Sequence, residues 1–594
     1  MKSIQSKLDD MAVGASRGWG PHAKRAAASA LLAALAACGS GGGAGTEPQA
    51  PPTQTESARF LAQATFGPTE AATTALSSQG YAAWLAAEFA KPQTLHRTYM
   101  DTMAASLAAT GGSISPSNFY ESWWNQAVTG DDQLRQRVAF ALSEIFVISF
   151  VDGNLSNQPR GVASYYDMLG EKAFGNYRDL LESVSLHPMM GTYLTSLRNQ
   201  KEDAASGRVP DENYAREVMQ LFSIGLYQLN GDGSVKTDSN AVPLETYTHD
   251  DISGLAKVFT GWSWYAGANL IDRTRNRFFG NDAQLERDWR PMQAYNKYTS
   301  NTDFHSITAK SFLGTTIAAQ TAADPEGDLR TALDTLFNHS NAGPFIGKLL
   351  IQRLVTSNPS PAYVGRVAAA FANNGSGVRG DMKAVIGAIL LDTEARTYSA
   401  ANTGYGKLRE PVLRLANFLR AFNSSSTSGR FLGIDNTDDP ASRLGQTPMR
   451  SPTVFNFFRA GYVPPNTTLA SAGLTAPEMQ MAHEVSVAGY LNYMRGWVGV
   501  NTARDVQQNF SAELALADNA DNLVQRVNML LMSGQMPDAL RTQIAAAVNG
   551  RTIPAAVMNA STVTNQAAID SAKRDRTSIA VFLTLASPDY LIQK

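Results

Sequence analysis

Asn213-Tyr-Ala-Arg-Glu-Val-Met-Gln-Leu-Phe-Ser-Ile-Gly225 is the stretch whose reading decides the fold class. Tyr214, Val218, Leu221, Phe222 and Gly225 recur at three- and four-residue steps, which is the spacing of one face of an α-helix. The same period runs through 58–65, 69–79, 81–90, 133–149, 251–260, 329–337, 344–356, 361–373, 381–391, 411–422, 477–494 and 519–532. Strand signals are few. The best is 225–237, where alternating residues flank Asn230-Gly231, a pair suited to a tight hairpin turn. The pattern predicts a mainly α protein: a large multi-helix globular body with one β-hairpin insert and long loops at 263–303, 423–441 and 464–476. No repeat of fixed period marks a solenoid.

Upstream of the first helix, Arg17, Lys24 and Arg25 lead into a 12-residue apolar run, 26–37, followed at once by Cys38-Gly39. A bilayer core needs about 20 apolar residues to be crossed as a helix, so the run reads as the core of a signal peptide. Leu35-Ala-Ala-Cys38 resembles a bacterial lipobox, in which the cysteine is diacylated and becomes the new N-terminus. The expected organisation is a lipoprotein signal peptide over 1–37, lipidated Cys38 with a flexible Gly/Pro linker over 38–57, and a helical domain over 58–594. The other reading is an ordinary signal peptide cut after Ala36 or Ala37. Asp9 and Asp10 are out of place in a basic leader, which makes Met11 the expected start. Two acyl chains would anchor the protein lastingly. Gly39, standing where inner-membrane lipoproteins often carry aspartate, points to the outer membrane, with the body on the periplasmic or the outer side.

Loss of residues 1–37 removes five basic side chains (Lys2, Lys7, Arg17, Lys24, Arg25) and two acidic ones (Asp9, Asp10), moving the net charge from −2 to −5. That balance argues against a nucleic-acid partner, which calls for a basic surface. Cys38 is the sole cysteine; once lipidated it leaves no thiol for a disulfide, a thiolate metal site or a nucleophile. None of the seven histidines has another within reach on one helical face, and His483-Glu484 lacks the second histidine of a zinc helix at Val487. Gly343 to Lys348 is one residue short of a phosphate loop, and the only Gly-x-Ser-x-Gly match, Gly14 to Gly18, falls in the leader. Asn230 to Ser234 opens like a calcium loop without its later glycine and glutamate, so a turn is the simpler reading. The sequence specifies no cofactor.

Candidate chemistry gathers on two helices and a loop. Asn213, Arg216, Glu217 and Gln220 lie opposite the apolar stripe of the first helix: either a solvated face, or, under a second layer, a buried Arg216 and Glu217 pair lining a cleft. On the second, Thr248 and Asp251 form a capping box, leaving His249 and Asp250 as candidates for proton transfer or metal binding. His305 and Lys310, in Phe304 to Gly314, offer a cationic pair for an anion.

In order and wording these segments resemble the bacterial family known as domain of unknown function 1800. The resemblance rests on 58–67, 213–225, 251–262, 305–314, Arg353 to Pro361, Lys407-Leu-Arg-Glu-Pro411, Gly445 to Phe458 (Gly-Gln-Thr-Pro-Met-Arg-Ser-Pro-Thr-Val-Phe-Asn-Phe-Phe) and 587–592, nearly the whole mature chain. It implies a secreted bacterial protein without an established activity, often encoded beside a family resembling sulfatases and alkaline phosphatases. Many relatives carry Trp-His-Asn-His-Phe in an early helix. Here the similar stretch is Leu142-Ser-Glu-Ile-Phe146, so no histidine metal role carries over, and Glu144 is left as a carboxylate or weak metal candidate beside His249 and Asp250. Two functions follow as expectations. One is an accessory envelope lipoprotein whose body binds a partner such as a neighbouring sulfatase- or phosphatase-like secreted hydrolase. The other is a hydrolase acting on an envelope polymer or anionic ester through Arg216, Glu217, Asp250, Asp251, His305 and Lys310.

Overall fold

The computed structural model describes residues 51–265, 278–279, 289–295, 304–397, 402, 404–499 and 503–594. Cys38, the leader and most of the 263–303 loop lie outside them. Thr53 opens the first helix, Gln54–Ala64: its Oγ1 accepts the Glu56 N–H while the Glu56 carboxylate accepts the Thr53 N–H. This capping box starts the ordered body four residues before the expected end of the linker, and Ser57 is already buried.

Helices make up 53% and strands 6%, as the apolar period requires. The expected helices are joined by others, including His96–Ala108, Pro116–Thr129, Pro159–Lys172, Tyr177–Leu186, Asp538–Gly550 and Gln566–Ala586. Several expected helices are cut short, among them the one over 213–225, which ends at Gln220. The one foreseen over 133–149 ends at Ser143, because the chain beyond it leaves the helix to pair with a distant loop, Phe150 N–H donating to Met449 O (2.8 Å) and Ser149 Oγ to Ser451 O (2.7 Å). The one over 477–494 is split into a 3₁₀ turn, Pro477–Met481, and a helix Glu484–Val498 capped by His483.

One continuous apolar core runs from Phe60 to Tyr590, with Trp123, Trp124, Tyr165 and Tyr166 wholly enclosed, so the body does not divide into units with separate large cores. Arg59 draws remote pieces together by donating from Nε to Lys594 O (2.9 Å), from Nη1 to Arg396 O (2.6 Å) and from Nη2 to Ala395 O (2.8 Å). Strand Lys407–Leu408 pairs antiparallel with Ile592–Gln593. Among the described residues no helix is long and apolar enough to cross a membrane.

The single hairpin expected over 225–237 is present but incomplete as a description. Lys236 N–H donates to Gln228 O (2.7 Å), Leu244 N–H to Lys236 O (2.9 Å) and Gln228 N–H to Leu244 O (2.8 Å), closing three segments into a ring. Bridges Leu229 to Val235, Thr237 to Pro243 and Tyr227 to Glu245 complete it. The third segment returns because Asp238 Oδ1 accepts the Asn240 (2.8 Å) and Val242 (2.9 Å) N–H groups, a side-chain turn the Asn230-Gly231 signal does not announce.

Helix His249–Ala256 lies against hairpin Lys310–Phe312/Thr315–Ile317 so closely that a Cβ on Gly254 would stand 1.8 Å from the Ser311 carbonyl oxygen. Both sides of that contact are backbone, and neither can rotate away. Gly254→Ala is therefore expected to cost about 1–3 kcal/mol, toward the upper end, read as a lower urea midpoint with an unchanged slope.

Candidate functional site

Several segments that carry the family resemblance meet in the interior. Glu144 caps helix Gln133–Ser143, Arg353 closes helix Ala342–Leu354, and Glu410 stands before helix Pro411–Ala421. All three are buried, with Lys407 and Glu478. Lys407 Nζ donates to Arg353 O (2.8 Å) and pairs with Glu478 (3.0 Å) and Glu410 (3.8 Å). Arg353 Nη2 donates to Glu144 O (3.0 Å), and Arg137 Nη2 to Arg353 O (2.6 Å). Gln446 Nε2 donates to Glu410 Oε2 (2.6 Å), and Asn456 Nδ2 to Glu144 Oε1 (3.0 Å). Arg137, Arg353 and Lys407 thus face Glu144, Glu410 and Glu478 where water is excluded, and each charge depends on its neighbours.

The carboxyl groups of Glu144 and Glu410 are within hydrogen-bonding reach of each other, while Glu144 Oε2 and Glu410 Oε1 have only longer ion-pair contacts, to Arg353 Nε (3.9 Å) and Lys407 Nζ (3.8 Å). One proton between them resolves the contact. Burial first, then the Glu410 charge, push Glu144 well above the usual carboxylate range; Glu410, against its own burial, is held below it by Lys407, by the Glu144 hydrogen bond and by Arg137. These opposite shifts favour the neutral form of Glu144 beside an ionised Glu410. Burial also raises Glu478 despite the pull of Lys407.

Glu144 looks into a cleft of about 270 Å³ shared with Ser143, Gln446, Thr447, Met449 and Asn456. Met449 (φ 57°) and Asn456 (φ 63°) hold left-handed backbone, uncommon for asparagine and strained for methionine, and in this way turn the 445–458 segment around the carboxyl pair. A neutral acid beside an ionised one is the raw material of acid–base catalysis. The two carboxyls touch, whereas glycoside hydrolysis sets them about 5 to 9.5 Å apart, so that chemistry does not fit.

The residues expected from the sequence are distributed otherwise. Arg216 does not pair with Glu217. It reaches Glu212 Oε2 (3.4 Å), which also has His249 Nδ1 at 3.8 Å, while Ser253 Oγ donates to Glu212 Oε1 (2.5 Å). Glu217, expected on the polar face, is buried; burial raises its carboxyl, Arg216 opposing, and its Oε2 has no partner. His249 and Asp250 are exposed. Asp251 forms the expected capping box with Thr248 and also accepts Leu313 N–H (2.7 Å), holding the hairpin to the helix.

His305 and Lys310 do come together, on Asp328, which the sequence reading missed. His305 Nε2 lies 2.9 Å and Lys310 Nζ 2.8 Å from Asp328 Oδ2, and Gln320 Nε2 donates to Oδ1 (2.7 Å). Burial alone would raise Asp328; hydrogen bonds from His305 and Lys310 outweigh it and hold the carboxylate low. His305 and Lys310 have no exposed surface. Asp328 sits in the first turn of helix Pro325–Asn338, where acids occur for dipole reasons, and so gives no sign of its partners. Among the described residues no three His, Cys, Asp or Glu side chains gather as a metal site: Glu144 is enclosed with Glu410, whereas His249 lies at the surface beside Glu212.

Fold and site together define a mainly helical protein with one large core, organised around a buried cluster of mixed charge. The chain belongs to the family described as protein of unknown function DUF1800, matched over residues 59–592. No curated protein and no solved structure matches it.

Glu144→Gln keeps the neutral shape and can still donate to Glu410, so little stability should be lost. Glu410→Gln strips the counter-charge from Lys407 and Arg137 and should cost about 3–5 kcal/mol. Glu144 holds its proton at pH values where an unfolded chain has lost it: its contribution is complete below about 4.5, the ordinary carboxyl value, and is lost as pH rises through the raised folded value. Urea midpoints measured across pH should show Glu144→Gln gaining on the parent toward alkaline pH.

Proposed function

We propose that this protein is an accessory envelope lipoprotein, anchored through Cys38 to the outer membrane, whose helical body binds a partner such as a sulfatase- or phosphatase-like secreted hydrolase. The observation that carries this reading is that the candidate catalytic side chains do not open onto one surface. Arg216, His249 and Asp250 are at least partly open to solvent, while His305 and Lys310 are sealed inside and bound to Asp328. A hydrolase needs such groups convergent on one accessible point. Supporting it, the β-ring exposes Leu226, Tyr227, Val235 and Val242, apolar side chains of the kind that serve contact with another protein.

A hydrolytic reading draws on the pairing of the Glu144 carboxyl, raised by burial, with Glu410, held low by Lys407. It is weakened by Glu410 having no exposed surface.

Tyr227→Ser with Val242→Ser, both at exposed positions, should leave stability within about 0.5 kcal/mol. The same pair should reduce crosslinked recovery of a secreted hydrolase from the native envelope about tenfold. Hydrolysis of a sulfate, phosphate or carboxylic ester by the purified chain, abolished by Glu144→Gln, would sink the accessory reading. A mass increase of a diacylglyceryl group on Cys38 in the N-terminal peptide tests the anchor.

A further inference from the structure

A second cleft, of about 460 Å³, opens where helix Gln54–Ala64, the start of helix Pro411–Ala421, the turn after helix Ala520–Met532 and residues 589–594 meet. Its walls include Arg59, Arg409, Asn417 and Lys594, with Asp589 as the one acidic side chain. Arg409 is enclosed, with 7% of its surface exposed. Its guanidinium lies 4.0 Å above the centre of the Tyr590 ring, Nη1 donates to Asn417 Oδ1 (3.1 Å), Nη2 donates to Tyr590 O, and Nε has no partner. Among the described residues no carboxylate pairs with it. A buried guanidinium met only by neutral groups is costly, and it is the condition an incoming anion relieves.

Asn417 is oriented to match. Its Oδ1 accepts from Arg409 Nη1, which turns Nδ2 the other way, and that nitrogen is buried without a hydrogen-bond partner; the Tyr590 hydroxyl donates to Arg414 O (2.9 Å). A Cβ on Gly67 would come within 2.5 Å of Nδ2, so only glycine, at φ 135°, packs this closely against Asn417 without displacing the amide. Asp589 is engaged by Lys594 Nζ at 3.4 Å, and the Lys594 backbone oxygen by Arg59 Nε. Neither of them pairs with Arg409 among the described contacts.

We propose that this cleft binds a compact oxyanion, a phosphate or sulfate group, through Arg409 Nε and Asn417 Nδ2, with the Lys594 ammonium at its mouth. The proposal stands apart from the accessory reading, since it concerns a different face and needs no protein partner.

Calorimetric titration of the full chain with inorganic phosphate, sulfate and glycerol phosphate, against chloride at matched ionic strength, tests it. The expected result is saturable binding of phosphate or sulfate and none of chloride. Tighter binding of glycerol phosphate identifies an ester as the natural source, and equal binding the free ion. Asn417→Asp keeps the oxygen that accepts from Arg409 and places a carboxylate beside it, so it should fold and bind at least tenfold more weakly. Lys594→Gln, at the partly exposed mouth, should weaken binding about threefold without touching the fold. No saturable response in the parent chain, or binding unmoved by Lys594→Gln, overturns the proposal.

Discussion

Charge withdrawn from water has to be met inside the protein, and the arrangement of this fold follows from how Lys407 is met. Its ammonium, with no exposed surface, touches the carbonyl at the end of one helix, the carboxylate before another and the carboxylate of a 3₁₀ turn: Arg353, Glu410 and Glu478. Apolar contact tolerates sliding, but a buried ammonium does not, since any displacement leaves an uncompensated charge. The core supplies the driving force for collapse. The ionic cluster selects the one register in which helices far apart in sequence are allowed to pack, and the short pairing of 407–408 with 592–593 brings in a further strand on the same terms.

That selection explains which parts of the chain could be read in advance. A helical stripe such as Tyr214 and Val218 is a local pattern, and it appears where its period put it, although the helix ends at Gln220 and Phe222 is buried from the turn beyond. The capping box of Thr248 and Asp251 is equally local. Of the two readings open for Glu217, a solvated face or a covered one, the structure shows the covered one, with Tyr193 and Tyr247 close enough to feel its charge; nothing in its own helix encodes that layer. The meeting of His305, Lys310 and Asp328 needs a hairpin and a helix start separated by a loop, so only the first two could be picked out. Glu410 and Lys407 were on the page as part of a family motif, without any sign that their partner would be Glu144.

The buried clusters also divide the molecule's chemistry into what is spent and what is held in reserve. At Asp328, every described polar contact closes on another side chain, and the group works as a rivet for the hairpin. At Glu144 and Glu410 two carboxyls are shifted in opposite directions, and the adjoining segment holds left-handed backbone at Met449 and Asn456. Strain of that kind persists only where surrounding contacts over-determine it. The difference separates a site that holds the fold from one in which the fold holds a titratable pair.

The β-ring of 226–246 carries a last consequence. An ordinary two-stranded insert leaves two rows of unpaired amide groups, and an exposed row is a template on which another chain can add as a strand. Here Gln228, Lys236 and Leu244 satisfy one another in a cycle, so each segment is paired on both sides at its middle. The ring can therefore show Leu226, Tyr227 and Val242 to its surroundings while offering no open edge there. Copies crowded together on a surface would meet through side chains alone, and the route to fibrous polymerisation that starts from a bare strand is shut at this point of the molecule.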